Sequence, residues 1–204
     1  MEDHHRMVLR TAIRPVMIAS AMAVLLLPAA CGMEGGDIND DPNAGTVQEQ
    51  FDTLLQRPSF EEMTERYQEM VTKVRRATVQ LGGIPEWRDS KGSTPISGAG
   101  CGFDFPDIGS DGGTRQINGG VSEGAIPDDR WPEVIERVGK IAESYGFNRR
   151  EVFKDEPGDH DVRFYDSYGG DFVFGTKINT SMVISSGCFL KNEARERGFP
   201  SEAE

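Results

Sequence analysis

One segment of the chain places its apolar residues three and four positions apart, as one face of an α-helix does. Ser59 and Glu62 form the S-x-x-E capping pair that begins such a helix, and Gly82-Gly83 ends it. The positions between the apolar ones are mostly charged or polar, so the opposite face is expected to meet solvent. The predicted buried stripe consists of Phe60, Met63, Tyr67, Met70, Val71, Val74, Thr78 and Leu81.

A second segment has the same spacing and predicts the second main helix. Asp128 or Asp129 is expected to cap it, Pro132 falls in its first turn, where proline is tolerated, and Gly146 closes it. Val47–Arg57 predicts a shorter helix that stops before a proline. The apolar stripe of the second main helix consists of Trp131, Val134, Ile135, Val138, Ile141, Ala142 and Tyr145.

The last third of the chain alternates apolar and polar residues between turn sequences such as DEPGD and YGG, which is typical of strands. Alternation places Ile178 with Phe172 and Phe174 on one face, and it directs Cys188 towards the core. The predicted strands are Glu151–Lys154, Asp161–Ser167, Asp171–Ile178 and Ser181–Leu190, with shorter ones at Trp87, Cys101–Phe105 and Thr114–Ile117. We predict an α+β fold, an antiparallel β-sheet of about four to six strands packed against two main amphipathic helices in a single domain.

The segment Val16–Cys31 combines the features of an export signal. A run of apolar and small residues follows Arg10 and Arg14 and ends directly before Cys31. The run is shorter than the roughly 20 residues that span a membrane. We interpret residues 1–30 as a lipoprotein signal peptide, after which Cys31 carries lipid. Pro28 departs from the usual lipoprotein signal, and the alternatives are an ordinary secretory signal or a short signal anchor.

The remaining chain divides into three parts. Residues 31–46 are rich in Gly, Asp, Asn and Pro, which predicts a flexible tether. Residues 47–190 are expected to form the α+β domain. Residues 191–204 are expected to form a charged tail that frays. Within the tether, Asp37–Asp41 has the residue spacing of a calcium loop, but proline replaces its glycine and glutamine its closing Glu. We therefore predict no metal site.

The chain has three cysteines, which is an odd number for an exported protein. Lipidation of Cys31 would leave Cys101 and Cys188 to form a disulfide outside the reducing cytosol. Two free thiols at Cys101 and Cys188 are the alternative.

The chain contains 34 acidic and 22 basic residues, a formal net charge of −12 at pH 7. An acidic surface repels phosphate backbones and anionic headgroups, so we predict no nucleic-acid partner. Attachment to a membrane must then come from acyl chains on Cys31 rather than from electrostatics.

The residue inventory disfavours most catalytic centres. His4 and His5 fall in the predicted signal, which leaves His160, too few histidines for most catalytic zinc sites. A Ser-His-Asp triad would need His160, and no serine lies in a nucleophile-elbow sequence. A disulfide would also remove the cysteine nucleophiles. We expect no enzyme and no cofactor, and a carboxylate pair is the remaining catalytic alternative.

Several motifs resemble the LppA-like family of actinobacterial, mainly mycobacterial, lipoproteins. They are the signal end AAC, the helix sequences SFEEMTERYQEM and WPEVIERVGKIAESYGF, the CGFDF motif and the closing DFVFGTKINTSMVISSGCFL. The resemblance covers Ser59 to Leu190. It implies a membrane-anchored lipoprotein of undetermined role, and it supplies no catalytic residues.

We therefore expect an exported protein, lipid-anchored to the outer face of the cell membrane or cell envelope, that acts by binding or interaction. Its partner would be an envelope protein or an apolar ligand. One alternative is a carrier of a small apolar or lipid ligand, which requires an apolar cavity between helices and sheet. The other is a hydrolase, which requires two buried carboxylates facing one cleft.

Overall fold

The computed structural model describes residues 45–90, 92 and 94–202, which lie in one compact unit. The helices are α1 (Val47–Leu55), α2 (Phe60–Gly82), α3 (Trp131–Ser144) and α4 (Asn192–Arg197), with 3₁₀ turns at Gly102–Asp104 and Pro106–Asp111. The strands are β1 (Ile96–Ala99), β2 (Gly112–Glu123), β3 (Arg149–Glu156), β4 (Asp159–Tyr165), β5 (Asp171–Thr176), β6 (Asn179–Ser185) and β7 (Phe189–Leu190).

The two main helices form where their apolar stripes predicted them. The Ser59 hydroxyl accepts a hydrogen bond from the Glu62 N–H at 3.1 Å, and α2 ends where Gly83 adopts a left-handed φ of 66°. The start of α3 differs from the prediction, because residues 128–130 form a turn and Arg130 occupies the cap position. Asp128 instead accepts a hydrogen bond from the Gly158 N–H at 2.7 Å.

The sheet is antiparallel, with strand order β1-β2-β6-β5-β4-β3, and β7 pairs with the start of β2. Alternate residues of β4, β5 and β6 are buried, and α2 and α3 form one core with them. We call the covered side of the sheet the inner face and the other side the outer face. The inner-face residues of these three strands are His160, Val162, Phe164, Phe172, Phe174, Thr176, Thr180, Met182 and Ile184.

The predicted α+β fold with an antiparallel sheet on two main helices is confirmed, and the sheet has seven strands. Four predictions about the strands are wrong. No strand forms at Trp87, where Arg88 and Val121 make an isolated bridge. Residues 102–104 form a 3₁₀ turn rather than a strand, because Gly102 takes a left-handed φ of 62° and Pro106 follows. Ile178 lies in the β5–β6 turn and is 79% exposed. The predicted last strand is divided into β6 and β7, with Cys188 between them.

The end of the chain does not fray as predicted over residues 192–201. The Arg195 guanidinium donates hydrogen bonds to the carbonyls of Leu54, Leu55 and Arg57, at and just after the end of α1. Ala194 is buried in a second, smaller core with α1 and β7. None of the helices that the structure describes combines the length and apolar character that a membrane span requires.

Candidate binding surface

The structure contains the predicted disulfide between Cys101 and Cys188, whose Cα atoms are 5.1 Å apart. It joins two segments 87 residues apart and lies in the smaller core. Together with the buried Ile108, the bond attaches the loop from Gly100 to Asp111 to the smaller core. Cys31, the predicted lipidation site, lies outside the described residues.

Beside the disulfide, a polar network holds the β4–β5 turn. The Asp166 carboxylate accepts hydrogen bonds from the Tyr67 hydroxyl at 2.7 Å and from the N–H groups of Tyr168 and Gly170. The Arg57 guanidinium donates to the carbonyls of Tyr168 and Cys188. Burial is the main cause that raises the pKa of Tyr67, and the negative charge of Asp166 raises it further. Burial lowers the pKa of Arg57, although the Asp166 charge acts in the opposite direction. The side chains of Asp166, Tyr67 and Arg57 therefore serve to hold the β4–β5 turn in place.

The single histidine outside the predicted signal, His160, also has a structural environment. Its ring is 7% exposed and stacks on Trp131 with centroids 4.5 Å apart. Its Nδ1 lies 2.7 Å from Asp155 and its Nε2 lies 3.1 Å from Asp128. Both ring nitrogens therefore have carboxylate partners, and the ring connects the β3–β4 hairpin to the start of α3. This arrangement leaves no nitrogen for a Ser-His-Asp triad.

Asp111 is the one carboxylate that is buried among the described residues. It lies 2.5 Å from the Arg197 guanidinium and accepts a hydrogen bond from the Ser201 N–H at 2.7 Å. Burial acts to raise its pKa, but the hydrogen bonds from Ser201 and Arg197 outweigh burial and lower the pKa overall. The described residues thus provide neither the two buried acids that the hydrolase alternative requires nor a cluster of three metal-binding side chains.

The outer face of the sheet is a surface that no described helix covers. Along β4, β5 and β6, every residue that alternates with the buried ones is partly or fully exposed. Most residues in its centre are small and uncharged, and Val173 opposes Val183 there. Its exposed or half-exposed residues are Asp159, Asp161, Arg163, Tyr165, Asp171, Val173, Gly175, Asn179, Ser181, Val183 and Ser185.

The charges at the margin of the outer face are paired. Asp159 lies 2.6 Å from the Lys154 amine and 2.9 Å from the Lys177 amine, and these hydrogen bonds lower the pKa of Asp159. The Arg163 guanidinium lies 4.9 Å from the centroid of the Phe153 ring. Phe153 and four charged residues, Lys154, Asp159, Asp161 and Lys177, line an open hollow of about 410 Å³. The surface is therefore locally neutral, with one exposed aromatic ring at its edge.

A second hollow, of about 430 Å³, lies between the β1–β2 hairpin and the start of α2. Five glycines form much of its wall, and its charged residues are Arg115 and Lys191, with no Asp or Glu. The Arg115 guanidinium lies 4.2 Å from the Phe60 ring centroid. Neither cation forms an ion pair with a described carboxylate. The hollow lies at the surface, so it is not the enclosed apolar cavity that the carrier alternative requires.

Comparison with known proteins supports the lipoprotein resemblance. The model of the LppA family, described as a lipoprotein confined to pathogenic Mycobacterium, matches residues 35–192. The crystal structure of lipoprotein LppA from Mycobacterium tuberculosis is similar with a TM-score of 0.49 and 14% identity, over 76% of this chain and 92% of that chain. A DUF4853 family protein from Actinomyces odontolyticus is similar with a TM-score of 0.39 and 17% identity, over 67% of this chain and 71% of that chain. No curated protein matches. Because the family model matches more than half of its residues, the chain belongs to the LppA family of lipoproteins.

Proposed function

We propose that this chain is an exported lipoprotein, held at the cell envelope by lipid on Cys31, whose outer face binds another envelope protein. Membership of the LppA family and the AAC sequence, in which the predicted cleavage point directly precedes Cys31, support the anchor. The observation that carries the binding role is the uncovered outer face, since the inner-face residues of β4, β5 and β6 are all buried.

The chemistry of the outer face suits a protein partner better than a small molecule or a membrane. A protein interface mixes apolar, polar and paired charged groups, as this face does. A membrane surface would select unpaired basic residues, whereas the lysines here share Asp159. A small molecule would need a deeper pocket than the open hollow beside Phe153.

A photo-crosslinking amino acid at Val183 in the full lipidated chain tests this proposal in living cells. Val183 is partly exposed in the centre of the outer face, and Glu136 on the exposed side of α3 is the control position. We expect Val183 to give a discrete adduct with one envelope protein that Glu136 does not give. The same adduct pattern at both positions would overturn the proposal.

A matched pair of substitutions separates binding from folding. Val183→Arg places a charge in the centre of the outer face and should abolish the adduct formed from a cross-linker at Ser181. Val47→Arg makes the same change at an exposed valine of α1 and should leave that adduct intact. Equal loss from both variants would show that the adduct does not report on the outer face.

A second function, binding of a small anion, is favoured by the two cations in the glycine-walled hollow. A guanidinium stacked on a ring and a lysine that forms no ion pair with a described carboxylate suit a carboxylate or a phosphate. Titration of the full chain with inorganic phosphate and with acetate tests this function. Arg115→Gln should weaken binding at least about tenfold, the effect of losing one charged hydrogen bond. Arg76→Gln, at an exposed arginine of α2, should leave binding unchanged.

A further inference from the structure

β3 is an edge strand, and its second hydrogen-bonding edge has no partner among the described residues. Seven of its eight residues are exposed, Lys154 being the exception. At its centre, Val152 and Phe153 are 54% and 56% exposed, although both are large and apolar. An exposed edge with an apolar centre is a template for another strand.

The charges of β3 are arranged so that the strand complements itself. When a strand pairs antiparallel with its own copy, residues near its beginning oppose residues near its end. In β3 each charged residue then opposes a residue of the other sign, and Val152 and Phe153 lie in the middle. The opposed pairs are Arg149 with Glu156, Arg150 with Asp155, and Glu151 with Lys154.

A β-bulge makes this register geometrically possible. Opposed residues must point to the same face, but in a regular strand Arg149 and Glu156 would point to opposite faces. The register of β3 with β4 shifts after Val152, which leaves Phe153 as an extra residue in the pleat. Arg149 and Glu156 accordingly both oppose outer-face residues of β4. The bulge thus aligns the two ends of the strand on one face.

We propose that β3 pairs antiparallel with β3 of a second copy of this chain, around a two-fold axis beside Val152 and Phe153. The two sheets would then form one continuous sheet. Charged residues and bulges usually keep edge strands apart. Here they select one arrangement, because a parallel pairing would bring like charges together while this antiparallel register opposes unlike charges. The inference rests on β3 alone and goes beyond the proposed binding role of the outer face.

Within one chain most of these charges make exposed contacts that can rearrange, and Asp155 keeps its contact with the buried His160. Arg149 pairs with Glu151, and Lys154 lies 3.4 Å from Glu156. Exposed pairs of this kind contribute little to stability, so exchanging them for pairs between copies has a small cost. Pairing also covers the two exposed apolar side chains and the free backbone groups of the edge.

Cysteine cross-linking in membranes from cells that produce the full lipidated chain tests the proposal. Val152→Cys places a thiol beside the two-fold axis, where the same thiol of a second copy falls within disulfide reach. Lys140→Cys, at an exposed position of α3, is the control. We expect mild oxidation to give roughly tenfold more dimer from Val152→Cys than from Lys140→Cys, the ratio expected of a specific contact.

Charge exchange then tests the register. In the Val152→Cys background, Arg149→Glu opposes Glu156 of the second copy with a like charge and should reduce cross-linking roughly tenfold. Adding Glu156→Arg restores unlike charges and should restore the dimer. The disulfide-linked peptides of Cys101 and Cys188 in a non-reduced digest show that each variant is folded. Dimer from Val152→Cys no greater than from Lys140→Cys, or no recovery on charge exchange in folded protein, would overturn the proposal.

Discussion

Removing the hydroxyl of Tyr67 should destabilise the domain by about 2 kcal/mol. Tyr67 is fully buried in α2, and its hydroxyl donates a hydrogen bond to the Asp166 carboxylate at 2.7 Å. Hydrogen bonds to charged groups contribute about 1.5–3 kcal/mol each. In Tyr67→Phe the ring can still pack against Phe147, whose centroid is 5.3 Å away, so the lost bond accounts for the change.

Thermal and urea unfolding of the oxidised chain at pH 7 measure this effect. For a domain of this size, 2 kcal/mol corresponds to a fall in Tm of about 4–8 °C. The matched control is Tyr165→Phe, which removes an exposed hydroxyl that donates to Glu151 at 3.2 Å. We expect the control to change the free energy of unfolding by less than about 0.5 kcal/mol, as exposed substitutions usually do.

Equal destabilisation by the two variants would refute this reasoning, because burial is the difference between the two hydroxyls. A Tyr67→Phe variant that melts within a degree of the parent would refute it as well. In that event the N–H groups of Tyr168 and Gly170 would suffice to hold the Asp166 carboxylate and the β4–β5 turn.

Three further predictions concern the anchor, the disulfide and pH. Cys31→Ala should move the protein out of the detergent phase or leave it unprocessed; unchanged partitioning would exclude lipid on Cys31. Replacing Cys101 and Cys188 by serine should cost about 4 kcal/mol in the chain-entropy model, checked by urea unfolding. Asp111→Asn should lower Tm at pH 7. Because the folded-state pKa of Asp111 lies below 3.8, its contribution is lost as pH falls through that lowered pKa, so the Tm difference should then shrink.

The parts of the fold that were predictable depend on neighbours in the sequence. The stripe from Phe60 to Thr78 and the Ser59 cap use steps of three or four residues, and they identify α2 without further information. Period-two alternation likewise identifies the inner-face residues Phe172 and Phe174. Alternation also implies that the strands have a second face, but only the packing of both helices on one side shows that this face is uncovered.

The features that were missed depend on residues far apart in the chain. Arg195 stabilises the end of α1, which lies about 140 residues earlier in the chain. The sequence around Arg195 shows only a charged segment, and this is why it was predicted to be a free tail. Asp128 has the residue type of a helix cap, but it lies beside His160, 32 residues away. The bulge at Phe153 arises from the register of two strands, which residue types alone do not specify.

The start of the described chain and the hollow beside Phe153 lie at different ends of the sheet. The Gln50 side chain donates hydrogen bonds to the Gly45 carbonyl and to Asp107, so the described chain begins beside the smaller core, where β5 starts. The β3–β4 and β5–β6 turns lie at the other end of the strands, roughly 20 Å away for a seven-residue strand. The hollow beside Phe153 lies near those turns. A partner on the outer face near those turns would therefore bind away from Gly45, where the described chain begins.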